Sequence, residues 1–361
     1  NYLRALSKNY DVTVACSDEG SALADILPTG VSHISTAIHR KISLLGDLKS
    51  LFCLIRLMQL QDFDMIHSVT PKAGLLAQLA ARFSGIGVRI HTFTGQVWAT
   101  KQGMSRRFFK TLDRIIALTA TQVLADSASQ RDFLIAENVV TAAKIEVLGH
   151  GSISGVDGKR FQPDSEVRQI VREQLGFSEV DVLALFIGRL TRDKGVLDLV
   201  RAFNKVSEGL PSLSLLLVGP DEEGMEREIN RLSGSDTRIR ILGKTQSPEH
   251  FMAAADFLCL PSYREGFGSV VIEAAASGLP AMVSSIYGLT DAVQNGVSGQ
   301  LHAPKDVEAI AELLQKFTNE TKWRQRLGQK ARQRALEQFS AEYVIEAQMR
   351  FVHEMLVQRD D

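Results

Sequence analysis

Short aliphatic and β-branched runs alternate with stretches of helical periodicity from one end of the chain to the other. In the first half Val12–Cys16, Met65–Ser68, Val88–Thr92, Gln122–Ala125 and Lys144–Leu148 read as strands. In the second half Val182–Ile187, Leu213–Val218, Arg238–Leu242, Phe257–Leu260 and Pro280–Val283 do so. Between them Lys72–Phe83, Ser105–Leu118, Val196–Ser207 and Gly268–Ala276 read as helices. This alternation predicts parallel sheets covered by helices, with binding loops at the carboxyl ends of the strands. Every strand-to-helix loop is therefore a candidate site.

A length of 361 residues exceeds what one hydrophobic core usually serves, so two domains are expected. Gly149–Arg160, rich in small and polar residues and without periodicity, reads as the boundary, with Pro163 and a fresh helix beyond it. The expected division is 1–163, 164–338 and a last segment, 339–361, whose helix runs from about Ala341 to Leu356. Asn1–Lys8 looks like the end of a helix feeding the first strand. A doubly wound domain would place a strand and tight loop before that helix, so the chain as given is expected to lack its first strand.

Composition narrows the classes. Hydrophobic residues make up 45% and charged residues 23%, ordinary for a soluble globular protein. The longest apolar stretches fall well short of the roughly 18 residues a spanning helix needs, and no secretory signal is visible. Cys16, Cys53 and Cys259 each sit in an apolar run, which suits buried small hydrophobes in a reducing, cytoplasmic compartment. No Cys or His cluster has metal-ligand spacing and no Asp-x-Asp pair ends a strand, so neither metal nor cofactor is expected. Residues 1–163 carry 18 Lys and Arg against 13 Asp and Glu, a net +5, and the remainder 23 against 29, a net −6. The mildly basic first half suits an anionic partner or membrane surface. The near-neutral pI and absence of a dense basic helix argue against nucleic acid.

Two loops in the second half carry chemistry. In Glu265-Gly-Phe-Gly-Ser-Val-Val-Ile-Glu273, Gly266 and Gly268 let backbone N–H groups approach an anion where a helix begins, and the helix dipole favours a phosphate there. Two carboxylates flanking an anion site make better sense as acceptors of hydroxyl hydrogen bonds from sugars on either side of it. The competing reading, an ordinary helix start with Glu265 on the dipole and Glu273 in solvent, leaves the paired glycines unexplained. In Gly188-Arg-Leu-Thr-Arg-Asp-Lys-Gly195, Arg189 offers a planar fork for phosphate oxygens and Lys194 a mobile point charge. A pyrophosphate between the two loops would be held from both sides. The alternative there is a solvated helix start capped by Asp193.

With these loops, Val218-Gly-Pro, Leu242-Gly, Leu260-Pro-Ser and Ser277-Gly-Leu-Pro, the sequence resembles the family-4 retaining glycosyltransferases of the GT-B fold over nearly its whole length. The resemblance implies two Rossmann-like α/β domains, each a doubly wound parallel sheet, facing across a cleft, with a final helix crossing back to the first domain. It implies a nucleoside diphosphate sugar donor, and places Glu265 on the transferred sugar and Glu273 on the ribose hydroxyls. Arg189 and Lys194, with Gly188 beside them, would hold the diphosphate next to the Phe267–Ser269 backbone, and Gly243 and Lys244 would lie near the base. His91, in Val88-Arg-Ile-His-Thr-Phe-Thr-Gly95, resembles the family's active-site histidine; a structural histidine at a strand end is the other reading. His150 falls in the interdomain loop, and Lys72, after His67-Ser-Val-Thr-Pro, could meet an acceptor phosphate. The family uses no metal.

The sequence resembles in particular the enzymes of bacterial polysaccharide and glycan assembly, which implies a saccharide acceptor, polyprenyl-linked and met at the inner face of the membrane. Trp98, Phe108 and Phe109 among Lys101, Arg106, Arg107 and Lys110, and the apolar helix Ile42–Leu60 preceded by Arg40 and Lys41, are the candidate membrane contacts. Burial of those aromatics within the domain is the competing reading. Two other functions stay open from sequence: a sugar-nucleotide 2-epimerase of the same fold, and a catalytically silent nucleotide-sugar-binding subunit.

Overall fold

The computed structural model describes residues 1–17, 26–38, 43–234 and 236–360. The chain forms two compact units, one of Asn1–Ser154 with Glu342–Asp361 and the other of Gly155–Ala341.

In the first unit β1 (Val12–Cys16) pairs in parallel with β2 (Val31–Ser35). A separate parallel sheet runs β3 (Met65–Ser68), β4 (Val88–Phe93), β5 (Gln122–Ala125), β6 (Ile145–Glu146). Alternation along these strands feeds two clusters. Phe93, Val123 and Ala125 face Trp98, Ile116 and Leu134, while Val88, Ile90 and Leu124 face Phe351 of the last helix, Ala341–Asp360. Both faces are covered, as a parallel sheet requires. The helix Pro71–Phe83, with proline in its first turn, lies between the helices Leu44–Leu60 and Gly103–Thr119 and packs on both.

Trp98 is not a surface anchor. It is fully buried, stacks on Phe133, and its Nε1 donates to Asp113 at 2.7 Å. Burial pushes the Asp113 carboxyl up to about 6, although the indole hydrogen bond pulls the other way. Phe109 is partly buried against the same cluster, whereas Phe108 stays exposed. Arg40 and Lys41 lie outside the described residues.

The second unit is one six-stranded parallel sheet. Its strands are β7 (Val182–Ile187), β8 (Leu213–Val218), β9 (Ile239–Leu242), β10 (Phe257–Leu260), β11 (Ala281–Ser284) and β12 (Gly299–His302). The order across the sheet is β12-β11-β10-β7-β8-β9. Every residue of β7, β8, β10 and β11 is buried, which explains why those strands are apolar at all positions but Ser214 and Ser284. The chain steps outward from β7 through β8 to β9, then returns to β7's other side with β10. The crevice for a ligand in such a sheet opens at that reversal, between the loops after β7 and β10. Among the described residues no helix is long and apolar enough to cross a membrane.

Candidate functional site

The two motif loops, whose starts Gly188 and Glu265 lie 77 positions apart in the chain, are brought together because β7 and β10 are hydrogen-bonded neighbours. Their contact is close at Gly195, which has φ +67° and lies so near the Pro261 carbonyl that a Cβ there would overlap it. Tyr263 N donates to Asp193 O at 2.8 Å, and Arg264 lies 3.5 Å from the Asp193 carboxylate. Asp193 thus belongs to the contact between loops; the helix Val196–Val206 starts from Gly195 and takes no side-chain cap.

On this platform Lys194 Nζ is ion-paired with Glu265 Oε1, which also accepts from Ser262 Oγ at 2.8 Å. Both partners of the ion pair are mostly buried, with 17% and 12% of their side chains exposed. Arg189 is more open and pairs with Glu222 of the loop after β8 at 2.9 Å. Gly268 adopts φ +78° at the start of the helix Ser269–Ala276, so the chain enters that helix from a left-handed residue. The first turn of any helix leaves its N–H groups without intrahelical acceptors, and here they begin at Ser269. Phe267 turns its ring into the core against Phe339, leaving only backbone for the site.

Glu273 sits in that apolar helix, eight residues after Glu265. Its carboxylate is half-buried and makes no hydrogen bond with the described residues. Burial raises its pKa, which nearby Arg160 lowers and Glu249 raises again. Arg160 pairs with Glu249 at 2.9 Å and donates to Gln246 O, so the segment after β9 lies beside Glu273. Gly243 and Lys244, at the start of that segment, are exposed.

The remaining candidates lie in the first unit. His91 is buried to 1% exposure within β4, its Nδ1 2.8 Å from Ser68 Oγ, which also accepts from Gln78 Nε2 at 2.8 Å. Gly74 packs on the imidazole so closely that a Cβ would overlap it. Burial, with His67 close by, holds His91 neutral with a pKa lowered to about 3. Lys72 pairs with Asp47 at 2.6 Å, tying two helices together. His150 is exposed and stacks on Tyr343 of the last helix at 5.8 Å.

Sequence reasoning passed over Ser262, Glu222 and the Tyr263–Asp198 pair. Tyr263 Oη donates to the buried Asp198 carboxylate, which also takes Arg201 at 2.8 Å. Burial first, then the Asp198 carboxylate, drives the Tyr263 pKa up. The signal available in sequence was position alone: all lie in loops, or at a helix start, at the carboxyl edge of the sheet. Tyr263→Phe should cost about 1–2 kcal/mol, the scale of a part-exposed hydrogen bond to a charged acceptor, and urea unfolding measures it. An unchanged midpoint would show that the hydroxyl does not hold the loop.

Two family models between them take in most of the chain: "Glycosyl transferases group 1" matches residues 167–334 and "Glycosyl transferase 4-like domain" residues 1–151. The chain belongs to the glycosyltransferases of family 4, and it has the GT-B fold. Among curated relatives, the capsular polysaccharide biosynthesis glycosyltransferase CapM of Staphylococcus aureus is 29% identical over 341 residues, 94% of this chain and 88% of that protein. UDP-Gal:alpha-D-GlcNAc-diphosphoundecaprenol alpha-1,3-galactosyltransferase of Escherichia coli is 27% identical over 320 residues, 87% of this chain and 81% of that protein. Among solved structures, HepE of Anabaena in complex with UDP and glucose superposes with TM-score 0.81 at 19% identity, over 97% of this chain and 94% of that one.

Proposed function

We propose that this glycosyltransferase moves a sugar from a nucleoside diphosphate sugar, UDP-based, to a saccharide hydroxyl during assembly of a bacterial surface polysaccharide. The observation that carries the donor reading is Glu273: a half-buried carboxylate that makes no hydrogen bond among the described residues, in the helix that follows a glycine turn, with Arg160 close by. A group so placed suits a diol such as ribose, which supplies the hydroxyl donors the protein does not. Lys194 and Arg189, with the first turn of the helix Ser269–Ala276, would neutralise the departing diphosphate, so the reaction needs no metal. Attack comes from the face on which the diphosphate leaves, with retention; the acceptor proton passes to the leaving phosphate. Glu265 would orient the transferred sugar from its place beside Lys194.

UDP is supported by the UDP-bound HepE and by the UDP-galactose named for the E. coli relative. The same relative's diphosphoundecaprenol acceptor, with CapM's part in capsule synthesis, supports a polyprenyl-linked acceptor at the cytoplasmic face of the membrane. His91, buried and neutral, is the candidate of the first unit. Lys72 and His150 are the acceptor-side candidates.

Calorimetric titration with UDP, GDP and ADP, without and then with magnesium, tests the donor reading. The expected result is metal-independent, micromolar binding of UDP that Glu273→Ala weakens by at least about ten-fold, the loss of one or two hydrogen bonds to a charged group. UDP affinity unchanged in that variant would remove Glu273 from the site.

A further inference from the structure

Near the start of the second unit a tight turn carries Arg160 toward the segment after β9. Asp157 Oδ1 accepts from Lys159 N at 2.9 Å and from Arg160 N at 3.2 Å, and Phe161, next in the chain, is buried in the core. Arg160 therefore stands on a fixed base, its guanidinium 5.2 Å from the centre of the Phe161 ring. From there Nε and Nη2 donate to Glu249 Oε2 at 3.0 and 2.9 Å, and Nη2 donates to Gln246 O at 2.9 Å. One planar fork thus holds a side chain and a backbone carbonyl of the same segment, which the point charge of a lysine would not do.

That segment, Gly243–Ser247, joins β9 to the helix Pro248–Ala254. Among the described residues the backbone N–H groups of Gly243, Lys244, Thr245 and Gln246 make no hydrogen bond, while Thr245 Oγ1 accepts from Ser247 N at 3.0 Å. Four successive donors are left to solvent or to a ligand. The segment follows β9, at the sheet's edge, away from the phosphate loops after β7 and β10. It also lies beside Glu273, whose carboxylate feels Arg160 and Glu249. With a diphosphate at Lys194 and ribose hydroxyls on Glu273, a nucleotide would point its base toward this segment.

We propose that Arg160 is a positioning residue for base selection: by clamping Glu249 and Gln246 it fixes the backbone of Gly243–Gln246 where the base of the donor nucleotide is read. The inference rests on the donor reading of Glu273. Uracil offers two carbonyl acceptors around one N–H, a pattern that backbone N–H and C=O groups match and that adenine, without a carbonyl, does not. Such groups discriminate only while held still, because a mobile segment can turn them to suit another base.

The test is calorimetric titration of the full chain and its variants with UDP, GDP and ADP. Arg160→Met and Arg160→Lys should both bind UDP about ten-fold more weakly, the upper end of one hydrogen bond, and bind GDP and ADP as before. Lysine keeps the charge beside Glu273 but loses the fork, so it should not rescue. Glu249→Ala removes the other end of the clamp and should cost as much; Arg160→Met added to it should cost little more. Full preference for UDP in Arg160→Lys would overturn the proposal, leaving Arg160 only its charge. An equal loss for all three nucleotides would overturn it too, since a merely structural residue gives that result. A wild-type chain that binds the three nucleotides alike would end the proposal while Glu273 keeps its role. UDP affinity unchanged in Glu273→Ala would end both.

Discussion

Lys194→Ala should lower kcat by roughly 10²- to 10³-fold, the cost of deleting one preorganised charge from a developing anion. Lys194 Nζ is paired with Glu265, so its charge is already in place, on a loop pinned to its neighbour at Gly195 and Asp193. As the sugar–phosphate bond breaks, negative charge moves onto the diphosphate, and a positioned ammonium stabilises that state more than the ground state. The measurement is the steady-state rate of UDP release with acceptor present, alongside a thermal melt to confirm that the variant folds. Lys194→Arg should recover part of the rate by restoring charge. Arg189→Ala should move kcat in the same direction but less, because that side chain is half exposed and its charge is better screened. Full turnover in both variants would sink the assignment of the two cations to the leaving group.

Acid should unfold the first unit well before carboxylate protonation alone would. His67 and His91 are held neutral by burial, with pKa values lowered from 6.5 to about 4 and about 3. Below 6.5 the unfolded chain takes up protons that the folded chain refuses, so stability falls as pH drops, until the folded values are reached. At pH 5 the two rings together cost about 4 kcal/mol, at about 1.4 kcal/mol per unit each. Asp113, raised to about 6, works the other way and returns about 1 kcal/mol at that pH. A net loss of about 3 kcal/mol is a large fraction of a typical domain's stability. Trp98 is buried in this unit, so in Trp323→Phe its fluorescence reports the transition. His91→Asn should flatten the pH dependence between about pH 6 and pH 4; an unchanged slope would show that the ring is not the group titrating.

The site was legible where local chemistry is short-range. Glycines, cations and carboxylates at Gly188–Gly195 and Glu265–Glu273 mark two strand-to-helix loops as candidates for binding an anion. The central strands were equally plain, because β7, β8 and β10 are buried on both faces and are apolar at every position but Ser214. Val31–Ser35 and Gly299–His302 went unread. Each pairs on one side only, at a sheet edge, and carries polar residues that an apolar-run criterion rejects. Trp98 stood between two readings for the same reason: its cationic neighbours suit either membrane contact or burial, and the buried carboxylate that receives its indole N–H lies fifteen residues on.

The sequence alone determined the alternation of strand and helix, the expectation of two units and the residue types at the two motif loops, since these follow from length, periodicity and side-chain chemistry within a few residues. The tertiary structure decided what depends on distant partners. It put β10 beside β7, so that Lys194 meets Glu265; it gave Asp193 to the contact between loops rather than to a helix cap. It buried His91 under Gly74 and kept it neutral, because desolvation is set by what packs on a ring and not by what precedes it in the chain. And it left one face of the helix Leu44–Leu60 uncovered, which no pattern along that helix could distinguish from a face turned to the core.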